Sequence, residues 1–249
     1  MKGIPKGKTV TVTLFRYRGF RNAFWALSQM GLAHRRMKKV PGMQFYKLLG
    51  TGSKGFSTWP DWTVYGLLQV WETGELADSF FSTHPQMRAF QARSEESLSI
   101  FMRPIRSKGL WDGQNPFLHK KESEEGTGPV AVLTRASIRK KFLLRFWRYV
   151  PHSQAPLETS EGLWYSKGIG ETPFTDMATF SLWESRQAMQ AYAYGTGAHL
   201  EAIRKTRELG WYREELFARF RPYRLEGSWK DIPNLEALKD ALEKEHSGK

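Results

Sequence analysis

The sequence predicts an α+β fold in which one β-α-β-β-α-β unit is written twice and the two copies close into a single-chain α+β barrel. Three observations carry this. Arg103-Pro-Ile-Arg-Ser-Lys-Gly-Leu-Trp111 and Arg221-Pro-Tyr-Arg-Leu-Glu-Gly-Ser-Trp229 share the frame R-P-x-R-x-x-G-x-W, with five identities in nine positions, 118 residues apart. Other pairs recur near that spacing: Arg16 with Arg135, Lys47 with Lys167 in Lys-x-x-Gly, and Trp71-Glu72 with Trp183-Glu184. A fixed period of this kind marks a duplicated supersecondary unit. Finally, strand-like and helix-like segments follow one order in both copies, the order of the ferredoxin-like split unit.

Each element has a local reason. Residues 9–17 are dominated by β-branched and aromatic side chains and read as a strand, with 130–135 as its partner in the second copy. A helical segment follows each: Phe20 to Met30, ended by Gly31, and Arg139 to Val150, ended by Pro151. Then come paired strands, 43–49 with 64–71 and 163–169 with 177–183, joined by turn-rich connections. A second helix is expected from Gly74 to about Glu95, and from Glu184 to about Phe217 with an interruption at Gly195-Thr-Gly197. The last strand of each copy carries the repeated frame.

This divides the chain into a first half over 1–112, a polar, turn-rich linker over 113–128, a second half over 129–229 and a helical tail over 230–249. In the tail, Leu235, Leu238 and Leu242 form one stripe behind Asn234 as N-cap, which suits packing on the barrel. Joining two sheets edge to edge removes exposed edges and can leave an apolar cavity between sheet and helices.

Composition narrows the chemistry. Ten Trp and sixteen Phe in 249 residues permit a large apolar interior. Without cysteine there are no disulfides, thiolate metal sites or cysteine nucleophile. The basic start has no apolar run behind it and no window is long enough to span a bilayer, so the chain reads as cytoplasmic. A formal charge of +13 points to an anionic surface, whether nucleic acid, a membrane leaflet or an acidic protein, or else to a basic but inert exterior. No helix-turn-helix, RNP1, KH or zinc-finger pattern is present, which argues against nucleic acid.

Of the six histidines, His246 lies in the tail, His119 in the linker, His34 in a basic run, and His152 directly after Pro151. His84 precedes Pro85 and is biased to extended backbone. His199 differs. In Gly195-Thr-Gly-Ala-His-Leu-Glu-Ala-Ile-Arg204, Thr196 can cap a new helix and His199 falls in its first turn, where the dipole favours the neutral, metal-binding imidazole. A buried structural histidine fits the same spacing. No H-E-x-x-H or facial-triad spacing occurs, whereas one His in an apolar pocket suffices for haem. Lys47 and Lys167, towards matching strand ends, could reach an anionic group such as a haem propionate, or simply be solvated. G-x-S-x-G and P-loop motifs are absent, and Gly168-Ile-Gly170 closes a strand rather than opening a helix.

Phe24-Trp25-Ala-Leu-Ser-Gln-Met-Gly31, Phe45-Tyr-Lys-Leu-Leu-Gly-Thr-Gly52, Leu110-Trp-Asp-Gly-Gln-Asn-Pro-Phe117, Pro129-Val-Ala-Val-Leu-Thr-Arg-Ala136 and Gly210-Trp-Tyr-Arg-Glu-Glu-Leu-Phe-Ala-Arg-Phe220 resemble the spheroidene monooxygenase family of carotenoid biosynthesis, over about Val10 to Trp229. The resemblance implies a haem b enzyme, dependent on oxygen and reduced ferredoxin, that introduces a keto group into an acyclic carotenoid. It makes His199 the natural iron ligand. The basic surface would then meet an acidic ferredoxin or an anionic membrane that holds the carotenoid. The competing reading is a non-catalytic α+β barrel that binds a small apolar ligand or a partner protein.

Overall fold

A computed structural model describes residues 7–53, 59–119, 128–148, 160–195, 209–233 and 235–247. Its strands are β1 (Thr9–Arg16), β2 (Met43–Gly52), β3 (Pro60–Trp71), β4 (Glu96–Gly109), β5 (Val130–Ile138), β6 (Leu163–Thr172), β7 (Asp176–Trp183) and β8 (Tyr212–Gly227). They form one closed antiparallel barrel in the order β1-β3-β2-β6-β7-β5-β8-β4. Within it, β4-β1-β3-β2 and β8-β5-β7-β6 repeat one strand order, that of the ferredoxin-like unit.

The chain forms two compact units. One comprises residues 1–51, 61–104 and 222–249; the other comprises 52–60 and 105–221. The long strands β4 and β8 therefore each begin in one unit and end in the other, so the repeat boundaries and the unit boundaries do not coincide.

In the first unit, α1 (Phe20–Leu32), α3 (Gly74–Thr83) and α4 (Pro85–Arg93) cover one face of the sheet. Phe15, Tyr17, Leu67, Trp71, Phe80, Phe90 and Phe101 form the core between the layers. Gly31 does not end α1, because its backbone stays helical and the chain runs on through a short turn, α2 (His34–Met37). The helix expected over 74–95 is two helices. Pro85 holds His84 extended (φ −71°, ψ 126°), and His84 caps α4 by accepting the Gln86 N–H on Nδ1 at 3.2 Å. In the C-terminal helix (Leu235–Ser247), the stripe of Leu235, Leu238 and Leu242 is buried.

In the second unit, a 3₁₀ turn (Lys140–Phe142) leads into a helix, α5, over 143–148, and α6 (Arg186–Gly195) follows β7. The expectation of helix as far as Phe217 fails because β8 already begins at Tyr212. There the residues pair with β5, Leu216 against Arg135 and Ala218 against Leu133, and sheet pairing prevails over helical propensity. Residues 113–119, expected as linker, are packed. Phe117 is buried edge-on to Phe220 at 5.0 Å, and His119 places its two ring nitrogens 2.9 Å from the carbonyl oxygens of Phe117 and Ile105. Among the described residues no helix is long and apolar enough to cross a membrane.

Candidate active site

Strand registers reveal which positions of the two copies are equivalent. Thr13 on β1 pairs with Leu67 on β3 and Ser99 on β4, and Thr134 on β5 pairs with Thr179 on β7 and Phe217 on β8. The same arithmetic makes Ser137, not Arg135, the counterpart of Arg16: Arg16 pairs with Val64 and Glu96, Ser137 with Asp176 and Glu214. The shift is two residues, so both arginines keep the same strand face.

The equivalent trios differ in what covers them. Thr13, Leu67 and Ser99 are all buried under the helices of the first unit, with the Thr13 and Ser99 hydroxyls 3.0 Å apart. In the second unit Thr134 is exposed, Thr179 is half-buried and Phe217 is 37% exposed. Apolar clusters lie to either side along β5. Val130 and Val132 pack with Trp183 and Met189, and Ile138 packs with Phe146 and Trp211. Between them no described residue covers the helix-side face of the sheet, where Gly168 of β6 lies next to Thr179. A floor of Thr134, Thr179, Gly168 and Phe217 has one aromatic ring and otherwise small side chains, so a flat apolar group can lie against it. We take this face as the candidate site.

The first unit has a cleft on its helix side, lined by Phe15, Tyr17, Ala26, Met30, Tyr65 and Phe90, with about 10 Å³ of room for the centre of a water-sized sphere. That is enough for about one water and not for a cofactor. Burial, with a smaller contribution from Tyr65, pushes the Tyr17 phenol well above its ordinary range. The Tyr65 hydroxyl is buried without a hydrogen-bond partner.

His199 and His152 lie outside the described residues. His34 Nδ1 is 2.9 Å from the Tyr46 hydroxyl, and His84 is occupied as a helix cap and stacked on Phe80. Burial, then Arg36, push the His84 imidazole below its usual range. Among the described residues no cluster of His, Asp and Glu could hold a metal. Lys167 is buried opposite Phe180, on the strand face that Ser166 and Gly168 do not share. Lys47 precedes Leu48, which lines the cleft of the first unit, so its side chain too leaves the sheet on the face away from the helices. Neither ammonium group faces the helix side of its own unit.

The repeated frame proves to be architectural. Trp111, at its end, donates its indole N–H to Glu171 at 2.7 Å beneath the Arg135 guanidinium, which lies 5.4 Å from the ring centroid. Arg135 is buried and ion-paired to Glu214, to Asp176 at 3.4 Å and to Glu171 at 3.6 Å. Trp229 repeats the stack with Arg16, 4.7 Å from its centroid, and Arg16 pairs with Glu96 at 2.5 Å and Asp231 at 2.6 Å.

Sequence reasoning missed the open floor. Its signal is two exchanges, Leu67 for Thr179 and Ser99 for Phe217, visible only once the register supplies separate offsets for each strand.

No protein-family model matches the chain. Spheroidene monooxygenase of Rhodobacter capsulatus is 37% identical over 221 residues, which are 88% of this chain and 92% of that protein. Spheroidene monooxygenase of Rubrivivax gelatinosus is 41% identical over 191 residues, 76% of this chain and 73% of that one. The protein of the same name from Cereibacter sphaeroides is 33% identical over 90% of this chain and 69% of its own. Among solved structures, an aldoxime dehydratase superposes with a TM-score of 0.58 at 10% identity, over 88% of this chain and 84% of that one. That likeness shows the fold alone.

Proposed function

Because the chain belongs to the spheroidene monooxygenase family, an oxidoreductase family, we propose that it is a haem-dependent monooxygenase that introduces a keto group into an acyclic carotenoid or a similar long polyene. The observation that carries the reading is the three relatives of one name, each matched over at least 69% of its length. The open floor of Thr134, Thr179 and Phe217 supports it, since among the described residues the equivalent trio Thr13, Leu67 and Ser99 is fully buried.

The small side chains of this floor and its one aromatic ring leave room for a planar apolar group such as haem to lie against it, and His199, which follows α6 in the sequence, is the residue we assign to the iron. When bound, the haem supplies the activation of oxygen. The chain's own residues supply the rest. Thr134, Thr179 and Gly168 keep the floor low enough for a planar group, Phe217 offers an aromatic wall, and the clusters around Trp183 and Trp211 keep water from either side. Each hydroxylation consumes one O₂, two electrons and two protons and releases one water. Two rounds at one carbon give a geminal diol, and its loss of water leaves the ketone. Reduced ferredoxin is the electron donor in this reading. The lysine expectation is not carried forward, because Lys47 and Lys167 leave the sheet on the opposite face.

The test is to purify the chain with haem supplied, record the Soret band, and assay oxygen-dependent conversion of spheroidene with reduced ferredoxin. Stoichiometric haem and a ketone product are expected; a colourless protein that binds carotenoid without turnover would favour the non-catalytic barrel.

A further inference from the structure

Helix α1 is apolar on the side that no described residue covers. Phe20 is 84% exposed, Phe24 63% and Leu27 42%, while Leu32, 60% exposed at the helix end, lies off that face. At 100° per residue, Phe20, Phe24, Leu27 and Gly31 fall within about 60° of one another, opposite the buried Ala26 and Ala33. The rings of Phe20 and Phe24 stack on each other, 6.1 Å between centroids. The β1–β3 ladder, extended by the Tyr17 N–H to Thr63 carbonyl bond, brings Trp62, itself 57% exposed, beside the chain just before α1 begins. Exposed apolar side chains scattered singly are ordinary, but a continuous ridge with a neighbouring indole is not.

Along the sequence the charge around this ridge has one sign, and in space Glu95 comes within 3.9 Å of Arg18 at its N-terminal end. The first 60 residues contain twelve Lys and Arg and no Asp or Glu, leaving 26 basic residues against all 25 acidic ones in the rest of the chain. Arg18, Arg21, Arg35, Arg36, Lys38 and Lys39 are exposed at the two ends of α1. The first turn of α1 also lacks the acidic residue that a helix dipole favours.

We infer that α1 docks the protein on an anionic lipid surface, with Phe20, Phe24 and Leu27 inserted at the acyl boundary and the flanking cations among the headgroup phosphates. An aromatic and aliphatic ridge edged by Lys and Arg is the pattern of an interfacial helix. A soluble acidic partner would satisfy the cations but leave the apolar ridge in water. The inference extends the proposed function, since a membrane is where a long polyene dissolves. Docking itself needs neither haem nor turnover, so its failure would leave the oxygenase reading intact.

The experiment is co-sedimentation of the full chain with phosphatidylcholine vesicles, with and without about one-third phosphatidylglycerol, at low and high salt. Binding to the anionic vesicles, weakened by salt, is expected. Phe20→Gln with Phe24→Gln should lower the partition coefficient at least tenfold. Arg21→Gln, Lys38→Gln and Lys39→Gln should each lower it roughly fivefold. Because all five side chains are exposed, circular dichroism and the thermal midpoint of these variants should match the parent. Unchanged vesicle binding by the double Phe variant would overturn the inference. So would no binding to anionic vesicles by a chain that binds an acidic ferredoxin in the same buffer.

Discussion

Gly109 passes so close to Glu215 that a Cβ on it would stand 2.1 Å from the Glu215 carbonyl oxygen, and its φ of 97° lies in the left-handed region. Gly227 repeats this against Ser97, at 2.0 Å and φ 99°. These are the glycines of the repeated nine-residue frame, and each lets its strand end turn so that the Trp two residues on reaches an Arg.

Gly109→Ala and Gly227→Ala should each destabilise the fold by about 2 kcal/mol or more, from backbone strain together with a clash against an unyielding carbonyl. Urea titration of both variants checks this. Gly113→Ala, with positive φ and nothing near its Cβ, isolates the strain alone and should cost less.

Replacing Arg135 leaves three carboxylates around a buried, uncompensated space. Arg135→Met should cost about 3–5 kcal/mol, the scale for breaking a buried ion pair from one side. Trp111→Phe, which removes the indole N–H to Glu171 and part of a buried ring, should cost about 1–3 kcal/mol. Chemical denaturation of the two variants separates these magnitudes.

Acid should weaken the same network. Burial alone would raise the Glu214 carboxyl, but the backbone N–H groups of Gly113 and Asp112 and the Arg135 guanidinium hold it below its usual range. Asp176 is likewise held down, against burial, by Ser137, Thr175 and Arg135. A carboxylate depressed in the folded state contributes stability above its unfolded pKa and loses it as pH falls through the folded one. Stability should therefore be flat near neutrality and fall as pH drops below the ordinary carboxylate range of about 4. In Arg135→Met that acid limb should be shallower, as read from unfolding midpoints against pH.

The open floor predicts an asymmetry between equivalent positions. Thr134→Trp should leave stability nearly unchanged, because the side chain enters open space, while abolishing stoichiometric haem and turnover. Thr13→Trp, in the filled unit, should cost about 1–3 kcal/mol or more by overpacking. Haem retained by Thr134→Trp would remove this face from the site.

His199→Ala should give a folded apoprotein that loses the Soret band, partly restored by imidazole from solution. A structural histidine would instead cost about 0.5–2 kcal/mol and leave the spectrum unchanged.

The sequence by itself determined the duplication and the order of strands, because a repeat and a period-two pattern are local and survive without coordinates. It identified Gly109, Trp111, Gly227 and Trp229 as a matched set, and the Leu235, Leu238 and Leu242 stripe as buried. It did not reveal what the matched set does, since the contacts of Gly109 and Trp111 lie about sixty to a hundred residues away, at Glu171 and Glu215. Local pattern carried helix too far towards Phe217, where pairing with β5 decided the outcome. It also paired Arg16 with Arg135 by type, when the ladders place them two residues out of register. The open floor was the least legible feature. Threonine and phenylalanine look the same on a filled face as on an empty one, and whether a side chain is covered depends on the elements packed above it.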